Sequence, residues 1–402
     1  MLQKAYMKLN TKEKLKDACD FCSSGNLHHI YTPIRSKRGM EVVFCKDCGL
    51  FESIPTVSYK SRPPGNLSCD ADRSSLKITK GLTFGNYKHL LEEFFYSSHP
   101  VNIIDIGSNR GTFVEWAGKN LNIKEITAVE TDILITDDYK NSKNLDLIIG
   151  RFEEIKNLKK DFYDLAYCVH TLEHASSAFL MLNKIHDSLS NNGLLFLAVP
   201  NLNWSDDALV EFFIDPHTFH FDPFVLENFL KNTGFEILHK NDHEHFESIY
   251  VLKKNKNSFI QNGLNLKLDK KVVERILNDM NEYREVLSRN RKLVDKDASK
   301  LKKILTSNKK LIFWGAGCIF DAIRKFGNIT PDDNIFLVDK YLPANLNEIS
   351  GFKLYYPDEI VNFIDDESYL YIASKDYKDE IINEASVYNF RNIFCFGEKI
   401  DV

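Results

Sequence analysis

The chain has 402 residues, of which 43% are hydrophobic and 27% charged, and a formal net charge of -5. These values are typical of a globular protein of two or three domains, and the small net charge excludes binding of nucleic acid through overall charge alone. No apolar run nears the length of a membrane helix, and the start Met1-Leu2-Gln3-Lys4 does not resemble a signal peptide, so we expect a cytoplasmic protein without membrane contact.

Four of the eight cysteines form two C-x-x-C pairs near the N-terminus, Cys19 with Cys22 and Cys45 with Cys48. Two such pairs can present four thiolates tetrahedrally, which is the ligand set of a closed structural zinc site. Gly49, directly after the second pair, lets backbone amides turn toward the sulfurs. Disulfides or a redox pair are the alternatives, and a cytosolic location disfavours both. Residues 1–60 are therefore predicted to form a small zinc module that holds structural Zn²⁺.

The end of the chain that carries these cysteines is basic. Residues 1–62 contain eleven lysines and arginines against six acids. An anionic partner is therefore expected to contact this end. The four remaining cysteines are isolated, and we interpret them as packing residues: Cys69, Cys168, Cys318 and Cys395.

A cofactor-binding pattern begins at residue 101 with the sequence V-N-I-I-D-I-G-S-N-R-G. It predicts a buried strand that ends in an acid, a tight glycine turn and a helix, followed by a second strand that closes on another acid. The glycines let the backbone approach a nucleoside, and the second acid takes the ribose hydroxyls. The acid inside the turn would repel a pyrophosphate but suits the cationic methionine end of S-adenosylmethionine. The predicted cofactor residues are Asp105, Gly107, Asn109, Gly111 and Glu130.

Later segments continue this pattern with predicted strands at 164–169, 193–201 and 234–238. Together the segments resemble the S-adenosylmethionine-dependent methyltransferase family. The resemblance implies a class I, Rossmann-like α/β sheet over residues 80–254, and the alternative is a chance D-x-G turn in another α/β domain. His170, after the strand that ends at 169, is a further candidate for the cofactor site. Phe152 is a candidate to cover the adenine, with a position in the hydrophobic core as the alternative.

Two further segments follow this sheet. Residues 255–306 are predicted to form a helical linker, because apolar residues recur at intervals of three and four, although 295–303 could equally be a solvated spacer. Residues 307–402 are predicted to form a second Rossmann-like α/β domain. It carries Gly315-x-Gly317 and Asp339, but Phe320 stands where a third glycine would be, which makes the dinucleotide signal weak. We interpret this domain as one that closes over the acceptor rather than one that binds a second cofactor.

The order of zinc module, methyltransferase and second Rossmann-like domain resembles the sugar C-methyltransferase family, which acts on nucleotide-linked deoxysugars. The matching segments are Cys45-Lys46-Asp47-Cys48-Gly49-Leu50, Ile106-Gly107-Ser108-Asn109 and Gly315-Ala316. Two segments depart from the family. Its catalytic Glu-His-x-x-Tyr-Phe-Ser corresponds here to 216–222, with Pro216 in place of the glutamate and His220 in place of the tyrosine. After the third-domain loop, the family's Ala-Lys-Gly is also absent.

Methyl transfer requires that the acceptor is aligned and loses a proton. Seven of the twelve histidines lie in the loops that follow the strands near 169, 201 and 238, where they would converge over the methyl group. We predict His217 as the general base with His220 as its aide, and His174 and Glu244 as further candidates. The alternatives are a structural role for His174 at the end of the sheet and a polar hairpin tip for residues 243–245.

The leading functional prediction is methylation of a sugar, carried on a nucleotide, in surface polysaccharide or deoxysugar biosynthesis. Methylation of oxygen on another small hydroxyl or phosphate-type acceptor stays open, because Pro216 replaces the family's glutamate. An RNA methyltransferase is disfavoured, since the chain has no patch of interleaved aromatic and basic residues and is acidic outside its N-terminal end. A non-catalytic scaffold that binds S-adenosylmethionine is the remaining alternative. The sequence leaves the oligomeric state open.

Overall fold

The structure of the protein is a computed structural model, which describes residues 18–34, 36, 39–55, 73–95, 99–132, 139, 144–202, 208–209, 211–241, 247–255, 267–344, 346–375 and 377–400. The chain divides into two compact units. The first lies within Met1–Leu67, Thr83–Asn203 and Phe213–Leu277, and the second within Ser68–Leu82, Trp204–Phe212 and Asn278–Val402. No helix among the described residues is both long enough and apolar enough to cross a membrane.

Helices and strands alternate along most of the chain. The helices are α1 (Arg73–Phe94), α2 (Thr112–Asn120), α3 (Ala178–Ser188), α4 (Pro223–Asn232), α5 (Lys270–Thr306), α6 (Cys318–Gly327) and α7 (Lys378–Ala385). The strands of the first unit are β1 (Leu27–Tyr31), β2 (Glu41–Cys45), β3 (Phe51–Ile54), β4 (Val101–Ile106), β5 (Ile123–Glu130), β6 (Leu145–Ile149), β7 (Tyr163–Val169), β8 (Leu189–Pro200), β9 (Phe219–His220), β10 (Phe235–Lys240) and β11 (Glu247–Lys254). Those of the second unit are β12 (Leu311–Trp314), β13 (Ile335–Val338), β14 (Glu348–Ile349), β15 (Phe352–Tyr355), β16 (Tyr369–Ile372), β17 (Asn392–Cys395) and β18 (Glu398–Ile400).

The central sheet of the first unit has seven strands in the order β10-β11-β8-β7-β4-β5-β6. The five strands from β8 to β6 are parallel, and β10 and β11 are antiparallel. Strand β4 is almost fully buried because hydrophobic clusters cover both faces of the sheet, as parallel sheets require. The strand order reverses between β4 and β7, so a crevice opens beyond their carboxyl ends. The predicted α/β fold class is confirmed.

The cysteine module, residues 18–55, is a small antiparallel sheet that takes its fourth strand from far along the chain. Its order is β1-β2-β3-β9, in which Phe51 pairs with His220 and Glu52 with Phe219. The pairing holds because β3 is buried on both sides and would otherwise leave its backbone groups without partners. Two residues of the segment at 216–222, which the family resemblance implies to be catalytic, are therefore part of the sheet of the cysteine module.

Aromatic packing joins the cysteine module to the central sheet. Phe21, between the first two cysteines, stacks on Phe229 of α4 with ring centroids 3.3 Å apart, and its centroid lies 6.4 Å from that of Phe221. Asp20 accepts a hydrogen bond from the backbone N–H of Phe179, in the first turn of α3. A carboxylate at a helix N-terminus is favourable because the first N–H groups have no partner within the helix. The module is thus anchored to α3 and α4.

Gly49 is required where the second C-x-x-C pair ends. Its φ is +85°, and a Cβ there would lie 2.6 Å from Leu268 Cδ1 and 2.7 Å from Val225 Cγ2. Any side chain would meet both backbone strain and a clash. The sequence predicted a glycine turn at this position, and the packing gives a second reason for it.

The second unit contains a sheet in the order β14-β15-β13-β12-β16-β17-β18. Its five inner strands are parallel, and β14 and β18 are antiparallel at the two edges. Helix α5 continues to Thr306, and Ala298 and Leu301 are buried in its last third. The sequence left a solvated spacer open for 295–303, and the structure instead has a packed helix there.

An amphipathic pattern near Tyr87 to Tyr96 in the sequence predicts a helix, and the structure has a longer one there, α1, which begins at Arg73 and ends at Phe94. The sequence from 73 to 86 mixes lysines, serines and two glycines with few apolar residues, so it gives no helical periodicity from which to predict the first turns.

Candidate active site

The loop after β4 is shaped by residues with positive φ. Gly107 has φ +76°, Asn109 +47° and Gly111 +80°, and α2 begins at the next residue. A Cβ on Gly107 would lie 2.1 Å from the Oγ1 of Thr171, so only glycine fits between the ends of β4 and β7. The Tyr139 hydroxyl donates to the carbonyls of Ser108 and Asn109, at 3.1 and 3.0 Å. The loop is therefore held in one conformation before any ligand arrives.

Glu130 ties this loop to the end of β5. Its Oε2 accepts the backbone N–H of Asn109 at 2.9 Å, and its Oε1 accepts the N–H groups of Thr131 at 2.7 Å and Asp132 at 3.1 Å. A carboxylate oxygen can accept more than one hydrogen bond, so Oε2 keeps capacity for a ligand hydroxyl. The residue predicted to hold the ribose thus also fixes the loop.

Asp105 is buried at the end of β4. Burial raises the pKa of this carboxyl well above its usual range, and the charge of Glu130 raises it further. A buried carboxyl in this state gains stability from a cation placed beside it, because the cation favours the ionised form. The cofactor loop therefore has one acid suited to a positive group and one suited to hydroxyls.

His170 lies directly after β7 in the left-handed region, with φ +49°. Its Nε2 is 2.7 Å from Oε1 of Glu247, its Nδ1 is 3.7 Å from Oε1 of Glu173, and the Tyr87 hydroxyl donates to Glu247. Burial acts to lower the pKa of His170, but the two glutamates raise it to about 9. At neutral pH His170 is thus an imidazolium, which can donate a hydrogen bond but cannot take a proton.

The side chains of Glu173, His174 and His217 lie close together beyond the ends of β7 and β8. Possible ligand atoms of Glu173, His174 and His217 lie within 4.8 Å of one another, and the two imidazole rings meet edge to face with centroids 4.8 Å apart. His174 Nδ1 is 2.9 Å from the carbonyl oxygen of Pro216, which requires the proton on Nδ1. In neutral His174 the lone pair is therefore on Nε2, 3.8 Å from Glu173 Oε1.

Glu173 supplies the negative charge of this cluster. The residue is 1% exposed, and neither carboxylate oxygen accepts a hydrogen bond among the described residues. Burial acts to raise its pKa, but His170, His174 and His217 lower it to about 2. The carboxylate therefore stabilises positive charge on any imidazole next to it.

His220 occupies a different environment from His217. It is buried in β9, its Nε2 lies 2.8 Å from the Ser53 hydroxyl, and its ring centroid is 6.1 Å from that of His217. Two backbone hydrogen bonds of 2.8 Å continue the connection: Ser53 N–H donates to Thr218, and Thr218 N–H donates to Glu173. The structure thus places His220 in β9, where it joins the cysteine module to the segment of His217, and its catalytic role stays a prediction.

Two further residues were predicted for the site. Phe152 is 3% exposed and packs in a hydrophobic cluster, and its role over the adenine stays a prediction. Glu244, with His243 and His245, lies outside the described residues, as does Cys69.

The four N-terminal cysteines form one cluster. Sγ of Cys19 is 3.4 Å from that of Cys48, Sγ of Cys22 is 3.6 Å from that of Cys45, and all four sulfurs lie within 4.8 Å of one another. None of them is in a disulfide. In a tetrahedral site with metal–sulfur bonds of about 2.3 Å, the sulfurs are roughly 3.8 Å apart. The cluster therefore has nearly the dimensions of a four-thiolate metal site.

Sequence reasoning did not find Tyr87, Glu247 or Ser53. Tyr87 is on α1, where its spacing predicted only packing, and Glu247 opens β11 beside a segment interpreted as a hairpin tip. Ser53 is more than 150 residues away from its partner, His220, in the sequence. No local signal marks such residues, because their role depends on contacts between distant segments.

Residues 81–240 match the family model described as a methyltransferase domain. With the strand order of the central sheet and the glycine loop beside two acids, this match identifies a class I methyltransferase domain that uses S-adenosylmethionine. This domain confirms the prediction of an S-adenosylmethionine-dependent methyltransferase.

Solved structures to which part of this chain is similar include methyltransferases of several bacteria. An S-adenosylmethionine-dependent methyltransferase of Mesorhizobium loti is 14% identical, with a TM-score of 0.36, over 42% of this chain and 97% of that chain. One of Aquifex aeolicus is 13% identical, with a TM-score of 0.37, over 46% and 100%. The 1,6-didemethyltoxoflavin-N1-methyltransferase of Burkholderia thailandensis is 12% identical, with a TM-score of 0.33, over 57% and 100%. Such distant neighbours do not indicate the acceptor. No match was found among curated proteins.

The bond between Ser53 and His220 generates a prediction about how the cysteine module acts on the crevice. Ser53→Ala removes a hydrogen-bond partner from a buried imidazole, which should lower the free energy of unfolding by about 1–3 kcal/mol. His220 lies in β9, which begins two residues after His217. The methylation rate should therefore fall several-fold, while the affinity for S-adenosylhomocysteine stays unchanged. Chemical denaturation, steady-state kinetics and calorimetry measure the three quantities.

Ser188→Ala is the matched control. Ser188 is also buried and donates one hydrogen bond, to the Ile185 carbonyl, at the opposite end of the central sheet. It should lower stability by a similar amount without a change in rate. Equal loss of activity in the two variants would show that Ser53 has no specific connection to the crevice.

Proposed function

We propose that the protein transfers the methyl group of S-adenosylmethionine to a sugar carried on a nucleotide, in surface polysaccharide or deoxysugar biosynthesis. The observation that carries this proposal is the group of His174, His217 and Glu173 beside the glycine loop, where a small acceptor would meet the cofactor. The order of the three predicted domains, which resembles that of the sugar C-methyltransferases, supports the choice of acceptor. A cytoplasmic location stays a prediction.

The residues of the crevice fit the proposed cofactor. Asp105 would take the ammonium group of its methionine end, Glu130 the ribose hydroxyls, and Gly107, Asn109 and Gly111 the backbone contacts. When bound, the cofactor supplies a methyl group already activated by the positively charged sulfur. The protein then has to place the acceptor in line and remove its proton.

In this proposal His217 is the general base. As the acceptor forms its bond to the methyl carbon, its proton passes to a ring nitrogen of His217, and the bond between carbon and sulfur breaks. The carboxylate of Glu173 would stabilise the imidazolium that results, and the hydrogen bond from His174 Nδ1 to the Pro216 carbonyl would hold the second ring in place beside it. His170, already charged, would serve as a hydrogen-bond donor in the crevice.

The cysteine cluster is proposed to hold one structural Zn²⁺. Metal analysis should find about one zinc per chain. Cys45→Ser should lose the metal and lower solubility before it lowers cofactor affinity, because the cysteine module packs on α3 and α4 rather than on the glycine loop. Cys318→Ser, at an exposed cysteine outside the cluster, is the control and should retain the metal. A fully soluble, metal-free wild-type protein would rule the site out.

The raised pKa of Asp105 predicts how cofactor binding depends on pH. In the free enzyme this carboxyl is protonated at a pH where an ordinary carboxyl is ionised, whereas a bound ammonium group favours the ionised form. The affinity for S-adenosylhomocysteine should therefore weaken as pH falls through the raised pKa, by up to about tenfold per pH unit. Calorimetry between pH 5 and 8, with the released proton detected in two buffers, measures this.

Two variants distinguish the contributions of Asp105 and Glu130 to cofactor binding. Asp105→Asn should bind more weakly and show no such pH dependence. Glu130→Ala should weaken binding roughly tenfold or more while the pH dependence stays, since it removes bonds to the ribose and not the titrating group. A pH dependence that persists in Asp105→Asn would show that another group titrates.

The catalytic proposal is tested at His217. His217→Asn should lower the methylation rate by about 10² to 10⁴, the range for losing a general base, with the affinity for S-adenosylhomocysteine within about a factor of three of wild type. The wild-type rate should also fall in acid, because only a neutral imidazole accepts a proton. The assay uses a panel of nucleotide-linked sugars and detects the methylated product by mass spectrometry. If His217→Asn kept a nearly full methylation rate, His174 would be the general base instead.

Transfer to oxygen is the second candidate, and it is favoured by Pro216, which stands where the related family has a glutamate. Carbon methylation requires removal of a hydrogen from carbon before the methyl group arrives. Exchange of that hydrogen with solvent deuterium, in the absence of S-adenosylmethionine, would establish carbon as the methylated atom. If this hydrogen does not exchange in an acceptor that the enzyme methylates, oxygen is favoured as the methylated atom.

A further inference from the structure

The histidine cluster, formed by Glu173, His174 and His217, has the ligand set of a transition-metal site. One atom of each side chain, a carboxylate oxygen or a ring nitrogen, lies within 4.8 Å of the other two. Two imidazoles and one carboxylate suit divalent ions such as Zn²⁺, Ni²⁺ and Fe²⁺. Mg²⁺ and Ca²⁺ are disfavoured, because they prefer sites made of oxygen atoms alone.

Glu173 is the anionic ligand of this cluster. Neither of its buried carboxylate oxygens accepts a hydrogen bond among the described residues. Ring nitrogens of His170 and His174 are 3.7 and 3.8 Å from Oε1, which is beyond hydrogen-bond distance. Burial of a carboxylate without hydrogen bonds costs free energy. A metal ion bound to this oxygen would supply the partner.

His174 is oriented as metal-binding histidines usually are. Its Nδ1 is 2.9 Å from the Pro216 carbonyl oxygen, which fixes the proton there and leaves the Nε2 lone pair for a metal. Nε2 is 3.8 Å from Glu173 Oε1. Two ligands of a tetrahedral ion, each about 2.1 Å from it, are roughly 3.4 Å apart, so the side chains need to approach by only a few tenths of an ångström. The His174 side chain is 29% exposed, which gives an ion a route to the cluster.

The backbone that carries these ligands is held by neighbouring segments. The Glu173 carbonyl accepts the N–H of Thr218 at 2.8 Å, and the His174 carbonyl accepts the guanidinium of Arg151 at 2.9 Å. Thr218 directly follows His217, so the first of these bonds joins the two segments that supply the cluster. Ligands that are already in place cost less to order when an ion binds.

The charges around the cluster leave Glu173 available to a cation. The imidazolium of His170 has a second carboxylate of its own, since its Nε2 is 2.7 Å from Glu247 Oε1. The guanidinium of Arg151 is likewise 3.4 Å from Glu153 Oε1. Both neighbouring cations are therefore compensated by other acids, and the charge of Glu173 remains for the cluster.

We propose that Glu173, His174 and His217 bind one divalent transition-metal ion, and that the bound ion inhibits methyl transfer. A neutral imidazole has a single nitrogen lone pair, so a metal-bound His217 accepts no proton from the acceptor. The inhibition rests on the proposed role of His217 as general base, whereas the metal site rests on the geometry of the cluster. This site is separate from the cysteine cluster, where four thiolates would close the shell around an ion.

Calorimetry of the full chain with zinc chloride tests the metal site. A weak chelator first removes loosely held metal, and metal analysis counts the ions that stay bound. We expect one further Zn²⁺ per chain to bind in the micromolar range, and Mg²⁺ to bind about 100-fold more weakly or not at all. His174→Asn and Glu173→Gln each remove a ligand and should weaken this Zn²⁺ binding roughly tenfold or more. Their affinity for S-adenosylhomocysteine, within about a factor of three of wild type, shows that they are folded.

His89→Asn is the matched control. His89 is an exposed histidine of α1 outside the cluster, and its variant should bind Zn²⁺ as tightly as wild type does. Equal Zn²⁺ affinity in wild type and in His174→Asn would overturn the metal site. It is also overturned if wild type binds no further ion below millimolar Zn²⁺.

Kinetics with an acceptor from the sugar panel tests the inhibition. The methylation rate of wild type should fall in proportion to the Zn²⁺ occupancy measured by calorimetry, and Mg²⁺ over the same range should leave it unchanged. If Zn²⁺ binds at the cluster and does not lower the rate, or raises it, the inhibition is overturned together with the role of His217 as general base. The metal site itself would stand, because the calorimetric result does not depend on activity.

Discussion

The architecture of the first unit depends on the pairing of β3 with β9, which inserts two residues of the methyltransferase domain into the sheet of the cysteine module. A strand with buried backbone groups needs a partner, and the chain supplies it from the segment that carries His217. The consequence is that the cysteine module and the segment that follows His217 share one hydrogen-bonded sheet. Phe21 and Asp20 add further contacts from the module to α4 and α3.

The histidines of the candidate site differ in the charges and hydrogen bonds that surround them. His170 lies between two carboxylates and is held charged, whereas His174 has its tautomer fixed by a backbone carbonyl. The buried carboxylate of Glu173 interacts with the imidazoles of His170, His174 and His217, so its negative charge acts on all three. Histidines that look equivalent in the sequence therefore offer different chemistry. Glu247 contributes to the raised pKa of His170 together with Glu173, and no local pattern indicates its contact with His170.

Local features of the fold could be predicted, and contacts between distant segments could not. The glycine turns, the acids that end β4 and β5, and the strands of both sheets each leave a short pattern in the sequence, because strand burial and positive φ restrict the residue types directly. The cysteine pairs do so as well. Tyr87, Ser53 and the role of His220 depend on segments more than 80 residues apart, and a residue's own neighbours carry no trace of them.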